Sequence, residues 1–204
     1  MKEIKFYKVA LFVNCLVPLA LLGYDAYFRR LGANPLEFIT RTTGTLTLVF
    51  LLLSLAVTPA RKLTGVQWLV RFRRMLGLYA FFYALLHFTT YIWFDKFFDV
   101  RAVVADTVQR PFVAVGMFSF FLLVPLAVTS TNAMIKRLGG KRWARLHRAV
   151  YLAAAGGCLH YYMLVKADTS KPLIFAAVLA LLLGYRLYVA YSAKLNARPI
   201  SISR

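Results

Sequence analysis

Three histidines are the residues of this chain best suited to chemistry, because all of them lie in or beside long apolar segments. His87 lies within one such segment, and His147 and His160 lie at the start and towards the end of another. Ionisable side chains are costly inside a membrane, so intramembrane histidines are functional candidates by default. We therefore take His87, His147 and His160 as candidate metal ligands.

The depth of each histidine decides which of them can act together. His147 and His160 are 13 residues apart, which is about 20 Å along a helix. His160 therefore shares an outer level with His87, and His147 lies near the other surface. In an ideal helix, 13 residues also turn the two side chains about 140° apart. A shared face would need a bend, for which Gly156–Gly157 is the candidate.

Two imidazoles that face each other from separate helices suit a haem iron with two axial ligands. Zinc would need more ligands at the same depth, and a proton relay would need an acidic neighbour, which neither apolar segment contains. The small residues at 153–157 predict either space for a flat macrocycle or close helix packing.

The composition excludes a water-soluble domain. Of 204 residues, 61% are hydrophobic and 16% charged, and the mean hydropathy is +0.65, against about 45–50% apolar and 25% charged in soluble domains. The formal charge of +19 is distributed between the apolar runs. This placement predicts contact with anionic lipid headgroups rather than with nucleic acid.

Six apolar stretches are long enough to cross a bilayer as helices. The chain is thus predicted to be all-α, a single transmembrane domain over residues 1–204, with Pro59 closing the second span. The predicted spans are 9–28, 42–60, 75–94, 111–135, 149–165 and 172–193.

Lysine and arginine predict the orientation of these spans. One set of alternate connections and termini holds 17 basic residues and the other holds 8, together with six of the seven acidic residues. Both termini should therefore be cytoplasmic. Of the short connections on the opposite side, residues 96–110 are the preferred contact for a partner.

Basic residues cluster where the spans that carry the histidines meet the cytoplasmic surface. Their ordinary role is to anchor the spans, but arginine also pairs well with carboxylate and phosphate. Arg73, Arg74 and Arg148 flank these spans, so they are the candidates for binding haem propionates or a flavin phosphate.

Two segments resemble a known family. They are RRMLGLYAFFYALLHFTTYIWFD (73–95) and LGGKRWARLHRAVYLAAAGGCLHYYMLVK (138–166), the second with W-x-x-L-H at Trp143–His147. Together they resemble the haem-binding membrane subunit of the bacterial periplasmic protein-methionine-sulfoxide reductase system, in the ferric-reductase-like transmembrane family.

This resemblance implies a cytochrome in the bacterial inner membrane with one or two b-type haems and FMN as a further cofactor. It implies electron delivery from the quinone pool to a periplasmic molybdopterin-containing reductase, which would itself reduce the sulfoxide. His87, His147 and His160 match the haem-ligand positions, with His87 and His160 at an outer haem. Larger relatives have a fourth histidine, at a level where this chain has arginines.

Two other functions fit the pattern of residues. A stand-alone ferric or cupric reductase would use the same histidines but would need no protein partner. A transporter or membrane anchor would bind no haem and would show no visible absorbance. Transporters often contain repeated halves, and the sequence predicts no such repeat.

Overall fold

The computed structural model of this protein describes residues 2–196, and all of its regular structure in that range is helical. The α-helices are α1 (Lys2–Tyr27), α2 (Pro35–Thr64), α3 (Arg73–Thr90), α4 (Val100–Gln109), α5 (Pro111–Val128), α6 (Asn132–Leu138), α7 (Gly140–Leu146), α8 (Ala149–Leu164) and α9 (Ser170–Asn196). A 3₁₀ turn (Gln67–Phe72) leads into α3, and a π-helical turn (Tyr91–Asp95) ends it. The basic residues predicted at 198 and 204 lie outside the described range.

Five helical segments are long and apolar enough to cross a membrane. They are Glu3–Tyr27, Pro35–Thr64, Gln67–Asp95, Pro111–Val128 and Ser170–Leu195. The predicted fifth span corresponds to α8, which has only 16 residues and is about 24 Å long. By length and composition, five of the six predicted spans therefore correspond to candidate membrane-spanning helices.

The predicted fourth span is too long, because α5 ends at Val128 rather than continuing to residue 135. The hydroxyl groups of Thr129 and Ser130 donate to backbone carbonyls one turn earlier, those of Pro125 and Leu126. Thr131 then caps α6 by accepting from the backbone N–H of Met134. Such local hydrogen bonds compete with continuation of a helix, and the surrounding apolar residues hid this break in the hydropathy pattern.

The prediction that Pro59 closes the second span is also wrong, because α2 continues to Thr64. Proline has no N–H to give to the carbonyl four residues earlier, which here belongs to Leu55. Arg186 of α9 replaces the missing donor: its Nη2 lies 2.8 Å from the Leu55 carbonyl oxygen. The helix can thus continue past a proline because a neighbouring helix satisfies the freed carbonyl.

Two helix pairs, α2 with α3 and α5 with α8, form the most extensive packing in the bundle. Small residues of α8 allow close contact both within its own pair and with the other pair. Gly156 lies against the Ser119 side chain of α5, and a Cβ on Gly157 would be 2.9 Å from Leu48 of α2. The small residues of α8 therefore serve close helix packing, one of the two predicted roles. Buried Tyr83 attaches α1 to this core by donating to the Cys15 carbonyl at 2.7 Å.

Candidate metal-ligand site

His87 of α3 and His160 of α8 face each other across the bundle. Their ring centroids are 6.1 Å apart and their ring planes meet at 78°. This confirms that the two side chains share one level, as their positions in the predicted spans indicated. The pairing joins one member of each major helix pair, so the relative position of the rings depends on the packing of four helices.

In both rings, Nδ1 is hydrogen-bonded to a backbone carbonyl oxygen. His87 Nδ1 is 2.8 Å from the Thr40 carbonyl oxygen, and His160 Nδ1 is 2.6 Å from that of Phe112. A carbonyl can only accept, so Nδ1 carries the proton in both rings. A neutral imidazole then leaves Nε2 with a free lone pair. This is the usual second-shell arrangement of a metal-binding histidine.

Two glycines make room for these rings. A Cβ on Gly44 would lie 3.0 Å from His87 Nδ1, and a Cβ on Gly116 would lie 2.8 Å from His160 Nδ1. Any larger residue would push the imidazole away from its carbonyl partner. Sequence reasoning missed both glycines, because neither is near a histidine in the chain.

The two helix pairs build this arrangement in the same way. In each, a carbonyl and a glycine four residues later (Thr40 and Gly44, or Phe112 and Gly116) hold a histidine from the partner helix. The histidine helices also share a spacing, with small residues seven and three positions before the histidine: Ala80 and Ala84 before His87, and Ala153 and Gly157 before His160. The sequence thus contains a short local repeat that we did not predict.

These observations fit a metal held by two axial nitrogen ligands. Two lone pairs on opposed rings, each oriented by a second hydrogen bond, are the donor set that haem iron accepts. Among residues 2–196, no cluster of three or more His, Cys, Asp or Glu side chains could hold a metal ion.

His147 lies in the turn between α7 and α8, apart from the other two histidines. Its ring stacks on Trp143 with centroids 3.9 Å apart, and Trp143 Nε1 donates to the Thr129 carbonyl at 2.9 Å. α8 is continuous through Gly156–Gly157, the candidate position for a bend, and it begins only at Ala149. His147 lies before this helix, so the helical twist of α8 does not constrain the direction of its side chain. The Trp and His of the W-x-x-L-H motif are thus one stacked unit.

The hydrogen bonding of His147 differs from that of the facing pair. Its Nε2 is 3.1 Å from Thr129 Oγ1, and that hydroxyl already donates its proton to the Pro125 carbonyl at 2.6 Å. Thr129 can therefore only accept, which places the His147 proton on Nε2. Burial, together with the positive charges of Arg73 and Arg74, lowers the pKa of His147 below its ordinary value.

Of the three arginines predicted to bind a cofactor, two lie near His147 and one is exposed. Arg73 and Arg74 lie close enough to His147 for their charges to act on it. Arg74 Nη1 also donates to Asn132 Oδ1 at 2.6 Å, while Arg148 is exposed at the start of α8. Because Arg74 precedes His87 by the same 13 residues that separate His147 from His160, it holds the position on α3 that corresponds to His147.

A charged cluster that sequence reasoning missed lies beside the facing pair. Asp106 of α4 is buried and accepts from the Tyr91 hydroxyl at 2.8 Å, with Lys96 Nζ at 3.2 Å and Arg110 Nε at 3.0 Å. Burial alone would raise the pKa of Asp106, but the hydrogen bonds from Tyr91 and Lys96 and the charges of Lys96 and Arg110 lower it overall. The i,i+4 spacing of Asp106 and Arg110 was the available signal.

Fold and site together define a helical membrane protein that presents two opposed imidazoles for a metal between its main helix pairs. Residues 43–158 match the family described as ferric reductase like transmembrane component. The chain is 52% identical to the protein-methionine-sulfoxide reductase heme-binding subunit MsrQ of Herminiimonas arsenicoxydans, over 94% of this chain and 89% of that protein. It is 54% identical to the MsrQ of Rhodospirillum rubrum, over 95% of this chain and 93% of that protein. The chain belongs to the MsrQ family of ferric-reductase-like membrane proteins.

Proposed function

We propose that this protein is a b-type cytochrome of the bacterial inner membrane. It passes electrons from the quinone pool to a periplasmic molybdopterin-containing reductase, which repairs methionine sulfoxide in proteins. Its relatives are named heme-binding subunits of a protein-methionine-sulfoxide reductase, which supports the cofactor and the kind of partner. The chain itself transfers electrons and does not reduce the sulfoxide.

The facing pair of histidines is the observation that carries this proposal. The rings of His87 and His160 lie with their centroids 6.1 Å apart, and the carbonyls of Thr40 and Phe112 bind Nδ1 of each ring, which leaves both Nε2 lone pairs for a ligand. Haem supplies a one-electron couple when it is bound. The protein contributes two ligands whose positions need not change between oxidation states, which suits electron transfer.

Electron transfer across the bilayer requires a complete set of spans. We propose that α8 is the sixth span despite its 16 residues, because it packs against α2, α5 and α9 and carries His160. With six spans and the observed excess of basic residues on one side, both termini are cytoplasmic. The 96–110 segment then lies on the periplasmic side, where the reductase docks.

We further propose that His147 holds, or helps to hold, a second redox group near the cytoplasmic side, either haem or FMN. His147 supplies one imidazole there, with its lone pair on Nδ1 because Nε2 carries the proton, while Arg73 and Arg74 supply positive charge beside it. These arginines, with exposed Arg148 next to His147 in the chain, favour propionate or phosphate groups.

A reduced-minus-oxidised visible spectrum with a pyridine haemochrome count per chain tests the cytochrome assignment. We expect a low-spin b-type signal in the wild type. His87→Ala and His160→Ala should each lose the signal of the outer haem, and the haemochrome count should fall by one haem per chain. The His147→Ala variant should keep that signal and lose only the second redox group. A colourless wild-type protein, made with ample haem supply, would refute the assignment.

The partner is tested separately by following haem reoxidation after reduction with a quinol. We expect fast reoxidation only when the periplasmic reductase and oxidised methionine are both present. Equally fast reoxidation by ferric or cupric chelates without the reductase would instead favour a stand-alone metal reductase.

A further inference from the structure

A second site of interest is a cavity between α2, α8 and α9, at the end of the bundle that holds His147. Its volume is about 330 Å³, and its polar lining consists of Thr58, Lys62, Tyr151, Tyr185 and Arg186. The remaining lining residues are small or apolar side chains of α9. The cavity thus combines several hydrogen-bond donors with an apolar wall.

Arg186 has an incomplete set of hydrogen bonds at this cavity. Its Nη2 donates to the Leu55 carbonyl at 2.8 Å and its Nη1 to the Tyr151 hydroxyl at 2.9 Å. Its Nε is buried and has no hydrogen-bond partner among the described residues. Both acceptors are neutral, so they satisfy donors without compensating the charge.

Positive charge accumulates around the cavity, and no carboxylate is among the described residues that line it. Lys62 lines the same space, and Arg73 lies close enough to Arg186 for the two charges to repel. The ion pairs found among residues 2–196 involve Glu37, Asp95 and Asp106, and they lie towards the other end of the bundle. An uncompensated charge at membrane depth is expensive, so a bound anion would lower its free energy.

We propose that this cavity binds a phosphate group through Arg186 and Lys62, with Tyr185 and Thr58 as further hydrogen-bond donors. Nη1 and Nη2 of Arg186 each donate only one of their two protons to Tyr151 and Leu55, so each has a second N–H for a phosphate oxygen. The ammonium of Lys62 adds a point charge. A neutral ligand would leave the charges of Lys62, Arg73 and Arg186 uncompensated. The site does not depend on the cytochrome assignment, because it contains none of the three histidines.

The phosphate can come from a phospholipid headgroup or from a soluble phosphate monoester. Delipidated protein in detergent should be titrated with phosphatidylglycerol and with a phosphate-free glycolipid of the same acyl chains, followed by native mass spectrometry. In a second arm, FMN and riboflavin, which differ only by the phosphate, should be compared by fluorescence quenching. Tighter binding of phosphatidylglycerol than of the glycolipid would identify a phospholipid headgroup as the source. Tighter binding of FMN than of riboflavin would identify a soluble phosphate monoester.

Three variants make this test specific: Arg186→Gln, Lys62→Gln and, as the control, Arg71→Gln. Lys62 and Arg71 are both exposed cations at the same end of the bundle, so neither substitution should disturb folding. Loss of a charge-assisted hydrogen bond should weaken the binding of the phosphate-bearing probe to Arg186→Gln by about tenfold or more. Lys62→Gln should weaken binding by a smaller factor, and Arg71→Gln should leave it unchanged.

Two results would overturn the proposal. One is equal affinity for each phosphate-bearing probe and its phosphate-free analogue in the wild type. The other is equal weakening by Lys62→Gln and Arg71→Gln, since that would show a general effect of surface charge.

Discussion

The two ends of the bundle hold histidines in opposite ways. At one end, His87 and His160 keep Nε2 free because backbone carbonyls bind Nδ1. At the other end, His147 has its Nε2 proton bound to Thr129. The first end also contains the ion pairs of Asp106, whereas arginines surround the second.

This difference indicates two kinds of site. Glycines, backbone carbonyls and four packed helices hold both rings of the facing pair, so its geometry is set by packing. The His147 end instead concentrates positive charge around one imidazole and attracts anionic groups by electrostatics. Substitutions beside the facing histidines should therefore act through packing, and substitutions beside His147 should act through charge.

The largest effect should follow from filling the space beside a facing histidine. In Gly116→Val the new side chain would overlap the His160 ring, since even a Cβ lies 2.8 Å from its Nδ1. We expect loss of the outer haem in the haemochrome count and a stability loss of about 1–3 kcal/mol from overpacking. Gly44→Val should act in the same way on His87.

Gly184→Val in α9 is the matched control, because no atom of the described residues lies within 4 Å of a Cβ at that glycine. It should retain full haem content, although the change in helix propensity is the same. Normal haem content in Gly116→Val would show that the close approach to His160 is unimportant for the ligand pair.

An intermediate effect is expected at the charged cluster. Asp106→Asn removes the buried carboxylate that accepts from Tyr91 and pairs with Lys96 and Arg110. We expect a loss of about 1–3 kcal/mol and a lower melting temperature in detergent. Glu37→Gln, which removes an exposed ion pair with Arg41, is the control and should change stability by less than about 1 kcal/mol.

The same cluster predicts a pH dependence. The pKa of Asp106 is lower in the folded protein than the ordinary 3.8, so its stabilising contribution is complete above that value and is lost as the pH falls below it. Melting temperatures measured between pH 3 and 6 should therefore converge for the wild type and Asp106→Asn at the acidic end. A constant difference over the whole range would contradict the ionised form of Asp106.

The sequence predicted the facing pair but not what fixes it. The depth of His87 and His160 follows from counting along helices, a local property. Thr40 and Gly116 contribute through contacts across 47 and 44 residues of chain, which periodicity cannot reveal. The end of α5 at Val128 was missed for a related reason, because its cause is a set of side-chain hydrogen bonds within an apolar window.

The continuation of α2 past Pro59 was also missed because it depends on a contact between residues that are distant in the chain. A proline predicts a break when the freed carbonyl has no other donor. Here the donor comes from Arg186, 131 positions away in the chain. Apolar length thus predicted most spans, and contacts between distant helices decided where they end.

The smallest effect should appear at the other end, in the titration of His147. The charges of Arg73 and Arg74 contribute to its lowered pKa, so Arg74→Gln should raise that pKa towards the ordinary 6.5, as measured by NMR of selectively labelled histidine in protein prepared without a redox group bound at His147. Arg148→Gln is the control, because Arg148 is exposed and is not among the groups that shift the pKa of His147.

The same lowered pKa predicts a pH dependence of stability. Because the pKa of His147 is depressed in the folded protein, the stability that neutral His147 contributes is present above pH 6.5 and is lost as the pH falls. Arg74→Gln should therefore lose less stability between pH 7 and 5 than Arg148→Gln. Equal titration of His147 in the two variants would mean that packing alone, rather than charge, controls this end of the bundle.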